Sequence, residues 1–288
     1  MFESIQSIID ECKETGKDFF QTVINYEIKS SDKTEEQIRL KMGMMFDAMI
    51  NSSENYDGTL TSRSGLTGGD GKRFEEYIKS SDTVCGSFIS LVITEALKIA
   101  ENNACMKRIV ACPTAGSCGV IPAVLIPFYK TRNINKDIII NALFVAAGIG
   151  QVIANRATIS GAQGGCQAEI GAASAMAAGA VTYILGGNAE QIGFATGFAL
   201  QNLLGLVCDP VAGLVEIPCV KRNVIGAVNA ITSADMALAG IRSKIPPDEV
   251  IDAMKEVGDL LPPSLRETSK AGLAVTPTGI KITEDIIK

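Results

Sequence analysis

The sequence contains no histidine and no tryptophan, and aromatic residues make up only 5% of it. Histidine is the side chain whose ordinary pKa lies nearest neutrality, so it is the usual proton carrier in catalysis. An enzyme built from this chain alone would move protons with Lys, Glu, Asp, Ser, Tyr, Cys or water. The alternative is an imidazole brought by a partner chain. Basic charge is also scarce, with 26 Lys and Arg against 32 Asp and Glu, a net charge of −6. A nucleic-acid binder needs a basic face to neutralise phosphates, so that class is set aside. No C-x-x-C occurs among the eight cysteines, which disfavours zinc ribbons and thioredoxin-type redox sites. A membrane-spanning helix needs about 20 strongly apolar residues. The run Ile138 to Ile153 is broken by Asn141 and Gln151, and Ile170 to Leu185 is mostly alanine and glycine, so no membrane insertion is expected. Met-Phe-Glu-Ser opens an acidic stretch without the basic head of a secretory leader. A cytoplasmic protein with reduced thiols is therefore expected. Those thiols are core filler, catalytic groups or metal ligands.

What is present is enough apolar sequence, 47% of 288 residues, for one sizeable core. Helical periodicity dominates, and alternating strand patterns are scarce. The expected fold is all-α or nearly so, a single compact helical catalytic domain over residues 1–288. Residues 1–60 are more polar and could form a separate helical layer. Helices are expected at Ser4 to Glu14, Asp18 to Ile28 and Thr34 to Asn51. Thr34 with Gln37 three residues later reads as a capping box, and Ile38, Met42, Met45 and Met49 form that helix's buried face. Further helices are expected at Arg73 to Lys79, Val84 to Asn102, from about Val120, Lys136 to Asn155, Glu169 to Leu185, Ala189 to Leu206 and Val224 to Lys244. A last one starts at Pro247. Arg108 to Cys112 reads as a short β-like run, and residues 269–288 as an irregular tail.

Three loops are too rich in glycine and cysteine to be routine connections. Ser62 to Gly71 (S-R-S-G-L-T-G-G-D-G) is a long loop, which in a compact domain usually carries function. It offers Ser62, Ser64, Thr67 and the Gly68–Gly69 pair, with Arg63 either clamping a carboxylate or lying free on the surface. Pro113 to Gly119 (P-T-A-G-S-C-G) runs into a helix start. Backbone N–H groups there, across Ala115 and Gly116, and the hydroxyls of Thr114 and Ser117 suit an anion such as a carboxylate. An ordinary capped turn explains the same residues. The third loop, Ser160 to Glu169 (S-G-A-Q-G-G-C-Q-A-E), is partnered downstream by Cys208 to Cys219 (C-D-P-V-A-G-L-V-E-I-P-C). Gly164 and Gly165 before Cys166, Pro210 after Cys208 and Pro218 before Cys219 suit rigid presentation of thiolates to an iron–sulfur cluster. Buried cysteines acting as small hydrophobes explain them too, and Cys105, Cys112 and Cys118 form a rival triad.

Taken together, S-R-S-G-L-T-G-G (Ser62 to Gly69), P-T-A-G-S (Pro113 to Ser117), S-G-A-Q-G-G-C-Q-A-E-I-G (Ser160 to Gly171), C-D-P-V-A-G-L-V-E-I-P-C and G-L-A-V (Gly272 to Val275) resemble the alpha chain of bacterial iron–sulfur L-serine dehydratases. The resemblance extends over essentially the whole chain. It implies a 4Fe–4S cluster held by Cys166, Cys208 and Cys219, whose spacing agrees with that family's ligand triad, and no pyridoxal phosphate. It implies β-elimination of water from L-serine to give pyruvate and ammonia, with Ser62, Ser64, Thr67, Gly68, Thr114 and Ser117 as catalytic candidates. Arg63, Gly69, Ala115 and Gly116 are the substrate-binding candidates. Three thiolates leave one iron free to act as a Lewis acid. The family's regulatory-type part, on which an S-H-T motif faces the cluster, is absent here, so a separate beta subunit is expected to supply a histidine. In some single-chain relatives a C-terminal cysteine reaches back to the cluster. This sequence ends in Ile-Ile-Lys, so that feature does not carry over. The rival readings are an L-cysteine desulfidase and a non-enzymatic iron–sulfur sensor.

Overall fold

The computed structural model describes residues 2–287, and among these the regular structure is helical. The helices are α1 (Ile5–Thr15), α2 (Phe19–Ser30), α3 (Glu35–Glu54), α4 (Asp70–Ser80), α5 (Gly86–Ala104), α6 (Val120–Thr131) and α7 (Lys136–Arg156). They continue with α8 (Gly161–Gly164), α9 (Ala172–Ile184), α10 (Ala189–Gln201), α11 (Cys219–Leu238), α12 (Pro247–Leu260) and α13 (Pro277–Ile287). A π-helical turn, Gln167–Gly171, joins α8 to α9.

The centre of the molecule is α9, whose residues Ala172 to Thr182 are all buried. It packs against α6, α7, α10 and α11. Its alanines and glycines allow this crowding. A methyl group on Gly179 would lie only 2.2 Å from the Ile149 Cδ1 of α7. The small residues are thus the contact surface of a helix enclosed on all sides. α7 is the one described helix long and apolar enough to cross a membrane, and two-thirds (67%) of that apolar stretch is buried in this core.

The polar N-terminal helices form an outer layer on the same core. Ile5, Ile8, Phe19 and Phe46 belong to one hydrophobic cluster with Ala172 and Ile149. The free N–H groups of the first turn of α1 are satisfied from afar: Ile5 N and Gln6 N donate to the Asp248 carboxylate at 2.7 and 3.0 Å. Thr34 and Gln37 form the expected capping box at the start of α3. Of the expected apolar face, Ile38 and Met49 are buried, while Met42 and Met45 are only half-buried and line a surface groove with Val23 and Tyr26.

Some boundaries differ from the sequence expectation. Arg108 to Cys112 forms no strand, because no second strand among the described residues is there to pair with it. The segment 269–288 is not irregular as expected. Gly272–Val275 forms a 3-10 turn and Pro277–Ile287 a helix, with Lys288 outside the described residues. Pro277 stands at the first helical position, where its missing N–H costs nothing. The Thr276 hydroxyl accepts from Gly279 N at 3.1 Å and caps the helix. α10 stops at Gln201 and α11 begins at Cys219, five residues before the expected start.

Candidate functional site

The three glycine-rich loops, far apart in sequence, converge on the segment from Cys208 to Cys219. Ser62 and Ser64 of the first loop both donate to the Glu216 carboxylate oxygen Oε2 at 2.7 Å. Thr67 N donates to Ser62 Oγ at 3.3 Å, and Ser62 N to Thr67 O at 2.7 Å, closing the loop on itself. Three glycines of the loop, Gly65, Gly68 and Gly69, have positive φ. Gly68 (φ +147) would place a methyl group 2.3 Å from Leu60 O, and Gly69 (φ +79) is the cap of α4. Since both serine protons go to Glu216, the Thr67 hydroxyl is the loop's uncommitted group. It is buried and has no hydrogen-bond partner. Arg63 is exposed and makes no ion pair among the described residues.

The second loop turns on Ser117, which is fully buried, with its Oγ 3.1 Å from the Thr114 hydroxyl. Ala115 is exposed and Gly116 half-buried. The loop is fastened by Asn223 of α11, which accepts from Gly119 N at 2.9 Å and donates to Gly116 O and Cys219 O at 2.8 and 2.9 Å. One amide side chain therefore sets the second loop against Cys219. A methyl group on Gly116 would meet Val215 at 3.5 Å.

In the third loop, Gly165 (φ +76) and Gly164 do permit a close approach, but the approaching groups are protein. A Gly165 methyl would lie 3.0 Å from Leu206 O, and a Gly164 methyl 2.7 Å from Thr158 Cγ2. The contact holds Cys166 beside the Leu206–Cys208 strand of chain. Cys208 is pinned on its other side by the C-terminal region, with Cys208 N donating to Leu265 O at 2.9 Å and Glu267 N to Cys208 O at 2.8 Å. Leu273 N donates to Asp209 Oδ2 at 2.8 Å, which ties the Gly272–Val275 turn to the same place.

Cys166 and Cys208 are buried at 3% exposure each, and Cys219 is half-buried. The Cys166 thiol is lowered from its ordinary range, first of all by the neighbouring Cys208 side chain. Burial opposes this, and the Arg222 guanidinium reinforces it. Cys208 is raised correspondingly, by Cys166 first and then by burial. Burial pushes the Cys219 thiol up to about 12, and the Cys166 charge adds to that. The three sulfurs thus share one electrostatic environment. Arg222 completes it, donating to Asp209 Oδ1 at 2.9 Å and Val207 O at 2.8 Å. No group of three His, Cys, Asp or Glu among the described residues is arranged to hold a single metal ion. Of the rival cysteines, Cys112 flanks the second loop and Cys118 belongs to it, and their thiols are buried against Val110 O, Cys118 O and Ile99 O.

Sequence reasoning passed over four residues here: Glu169, Glu216, Arg222 and Asn223. Glu169 lies three residues after Cys166, in the π-helical turn that redirects the chain into α9. Burial holds its carboxyl above the usual carboxylate range; the Thr114 hydroxyl opposes the shift and Glu267 adds to it. A charged residue closing an otherwise apolar stretch was the available signal.

The family model described as "Serine dehydratase alpha chain" matches residues 14–274. The chain is 46% identical over 286 residues to a probable L-serine dehydratase, alpha chain, of Bacillus subtilis (strain 168), covering 99% of this chain and 95% of that one. It is 44% identical over 289 residues to the L-serine dehydratase, alpha chain, of Peptoniphilus asaccharolyticus, covering 100% and 99%. L-serine dehydratase 1 of Escherichia coli (strain K12) is 34% identical over 280 residues, which span 95% of this chain but only 62% of that longer protein.

Proposed function

The chain belongs to the serine dehydratase alpha chain family, and from that premise we propose that it is the catalytic alpha subunit of a pyridoxal-free L-serine dehydratase, L-serine ammonia-lyase, acting in the cytoplasm in amino-acid degradation that feeds gluconeogenesis. What supports this reading is the family match together with the ties of two hydroxyl-bearing loops to the Cys208–Cys219 region, Ser62 to Glu216 and Gly116 through Asn223 to Cys219, and the closeness of Gly161 in the third loop to the Cys208 sulfur. The donors fit an iron–sulfur cluster better than a lone cation. They are all sulfur, the ligand type such clusters take, and the Arg222 guanidinium acts on Cys166 so as to offset thiolate charge. Cys166, Cys208 and Cys219 would hold a 4Fe–4S cluster. When bound, it supplies Lewis acidity that eases departure of a poor leaving group, hydroxide.

The remaining work falls to the chain's own groups. The unpartnered Thr67 hydroxyl and the Thr114–Ser117 pair, with backbone N–H groups of the second loop, orient the substrate carboxylate. Ser62 and Ser64, both donating to Glu216, hold the first loop in register rather than donating to substrate. Asn223 and the tie between Asp209 and Leu273 keep the loops and the C-terminal turn closed against water. Loss of the α-proton and of hydroxide gives aminoacrylate, which yields pyruvate and ammonia. No imidazole exists in this chain, so a beta subunit supplies a histidine near the site. Exposed Val215, Leu273, Val275 and Ile280 offer that subunit an apolar rim.

The test is anaerobic reconstitution with iron and sulfide in the presence of the beta chain, followed by a pyruvate assay. Pyruvate from L-serine is expected, at a rate unaffected by carbonyl reagents that trap pyridoxal phosphate. Preference for L-cysteine would make the protein a desulfidase, and a loaded cluster without turnover a sensor. Either result rejects the proposal.

A further inference from the structure

The buried acidic groups of this chain mostly have evident partners. Asp209 faces Arg222 and Leu273 N, Asp248 accepts two backbone N–H groups, Glu101 accepts from the Tyr56 hydroxyl and from Asp70 N and Gly71 N, and Glu216 accepts from two serines. Two half-buried carboxylates differ: Glu95, with one oxygen that has no hydrogen-bond partner among the described residues, and Glu169, which lies in the third loop beside Cys208. Glu169 is the one placed at the candidate site. No lysine or arginine among the described residues pairs with it, and the groups that act on it are the neutral Thr114 hydroxyl and a second carboxylate, Glu267. Its position is also particular. A methyl group on Gly116 would lie 3.5 and 3.7 Å from its two oxygens, and one on Gly161 would lie 2.6 Å from Oε2 and 3.2 Å from Cys208 Sγ. The carboxylate therefore stands in the gap between the second loop, the start of α8 and Cys208, and both flanking positions are glycine.

A carboxylate without a cation, in a confined gap beside a second negative group, is complementary to a positive ligand group. We propose that Glu169 seats the α-ammonium group of the substrate and so makes the site selective for α-amino acids over the matching hydroxy acids. This rests on the dehydratase reading and deepens it. An ammonium group offers three donors and a full charge to the carboxylate. A hydroxy acid puts a neutral hydroxyl there and leaves the half-buried carboxylate charge uncompensated. Glu169 is thus the residue that orients Cα, with the carboxylate end of the substrate held at Thr114 and Ser117, whose hydroxyls lie 3.1 Å apart.

The test uses the anaerobically loaded chain with its beta chain, titrated calorimetrically with L-alanine and L-lactate. These ligands differ in ammonium against hydroxyl and carry no leaving group. Wild type is expected to prefer L-alanine, and Glu169→Gln, with cluster absorbance retained, to narrow that preference at least about tenfold. Should the glutamine variant fail to accumulate, Glu169→Asp, which withdraws the carboxylate by one methylene, is expected to narrow it by a smaller factor. A wild type without preference for L-alanine, or a variant with the wild-type ratio, overturns the ammonium seat. A wild type that prefers L-alanine yet makes no pyruvate from L-serine rejects the dehydratase reading and leaves the ammonium seat standing.

Discussion

Replacing Gly161 by alanine separates the site from the fold. Gly161 has ordinary helical backbone at the start of α8, so alanine fits its φ and, by helix propensity, would if anything add up to about 1 kcal/mol of stability. The added methyl group, however, would sit 2.6 Å from Glu169 Oε2 and 3.2 Å from Cys208 Sγ, where ordinary contact begins at 3.4 Å. The carboxylate must retreat by close to an ångström, and the Cys208 sulfur by a few tenths. A displacement of about 1 Å in a positioned group commonly lowers turnover about 100-fold, equivalent to about 2.7 kcal/mol of transition-state stabilisation. The assay is kcat/KM for pyruvate formation from L-serine, read beside the thermal unfolding midpoint. Gly43→Ala on α3, where the methyl group would meet Ile140 at an ordinary 3.5 Å, is the control; it should leave kcat/KM unchanged and raise the unfolding midpoint, by up to about 1 kcal/mol of stability. Wild-type kcat/KM in Gly161→Ala would show that Glu169 and Cys208 do not flank the reacting centre.

Other consequences are equally open to measurement. Arg222→Ala removes one partner of a buried ion pair and leaves Asp209 uncompensated, so urea unfolding should show a loss of about 3–5 kcal/mol; a loss under 1 kcal/mol would mean that water replaces the guanidinium. Gly272→Ala asks for alanine at φ +63 with its methyl group 2.4 Å from Asp209 Oδ2, so the C-terminal turn should detach and limited proteolysis near Ser269 should accelerate; unchanged digestion would contradict that tie. Tyr56→Phe deletes the hydroxyl that donates to Glu101 and accepts from Lys72 N, with an expected cost of about 1–2 kcal/mol in unfolding free energy. Burial pushes the Cys118 thiol up to about 12, so at pH 8 it stays protonated. A thiol-alkylating reagent should therefore label exposed Cys85 long before Cys118, and equal rates would refute that burial.

Much of the scaffold was legible in the chain because its signals are local. The Thr34–Gln37 box, Pro247 at the start of α12 and the small-residue run of α9 each announce themselves within a few positions. Pro277 misled because proline at the first turn of a helix and proline in an irregular tail look alike until the Thr276 cap is seen. The site was only half legible. Its glycines and cysteines stood out by composition, but the residues that join the loops did not. Asn223 binds Gly119 across 104 positions, and Glu216 binds Ser62 across 154. Such contacts have no sequence period, since they arise only when α5, α6, α9 and α11 have packed. The close approach expected at Gly164 and Gly165 is there, and the groups that come close are Thr158 and Leu206.

The most direct measurement is the iron and sulfide content, with the visible absorbance, of protein loaded anaerobically as wild type and as Cys166→Ser, Cys208→Ser, Cys219→Ser and Cys85→Ser. The account predicts about four irons per chain in wild type and Cys85→Ser, as a single 4Fe–4S cluster requires, and loss of the cluster in each of the other three. A Cys208→Ser protein that loads like wild type would contradict it.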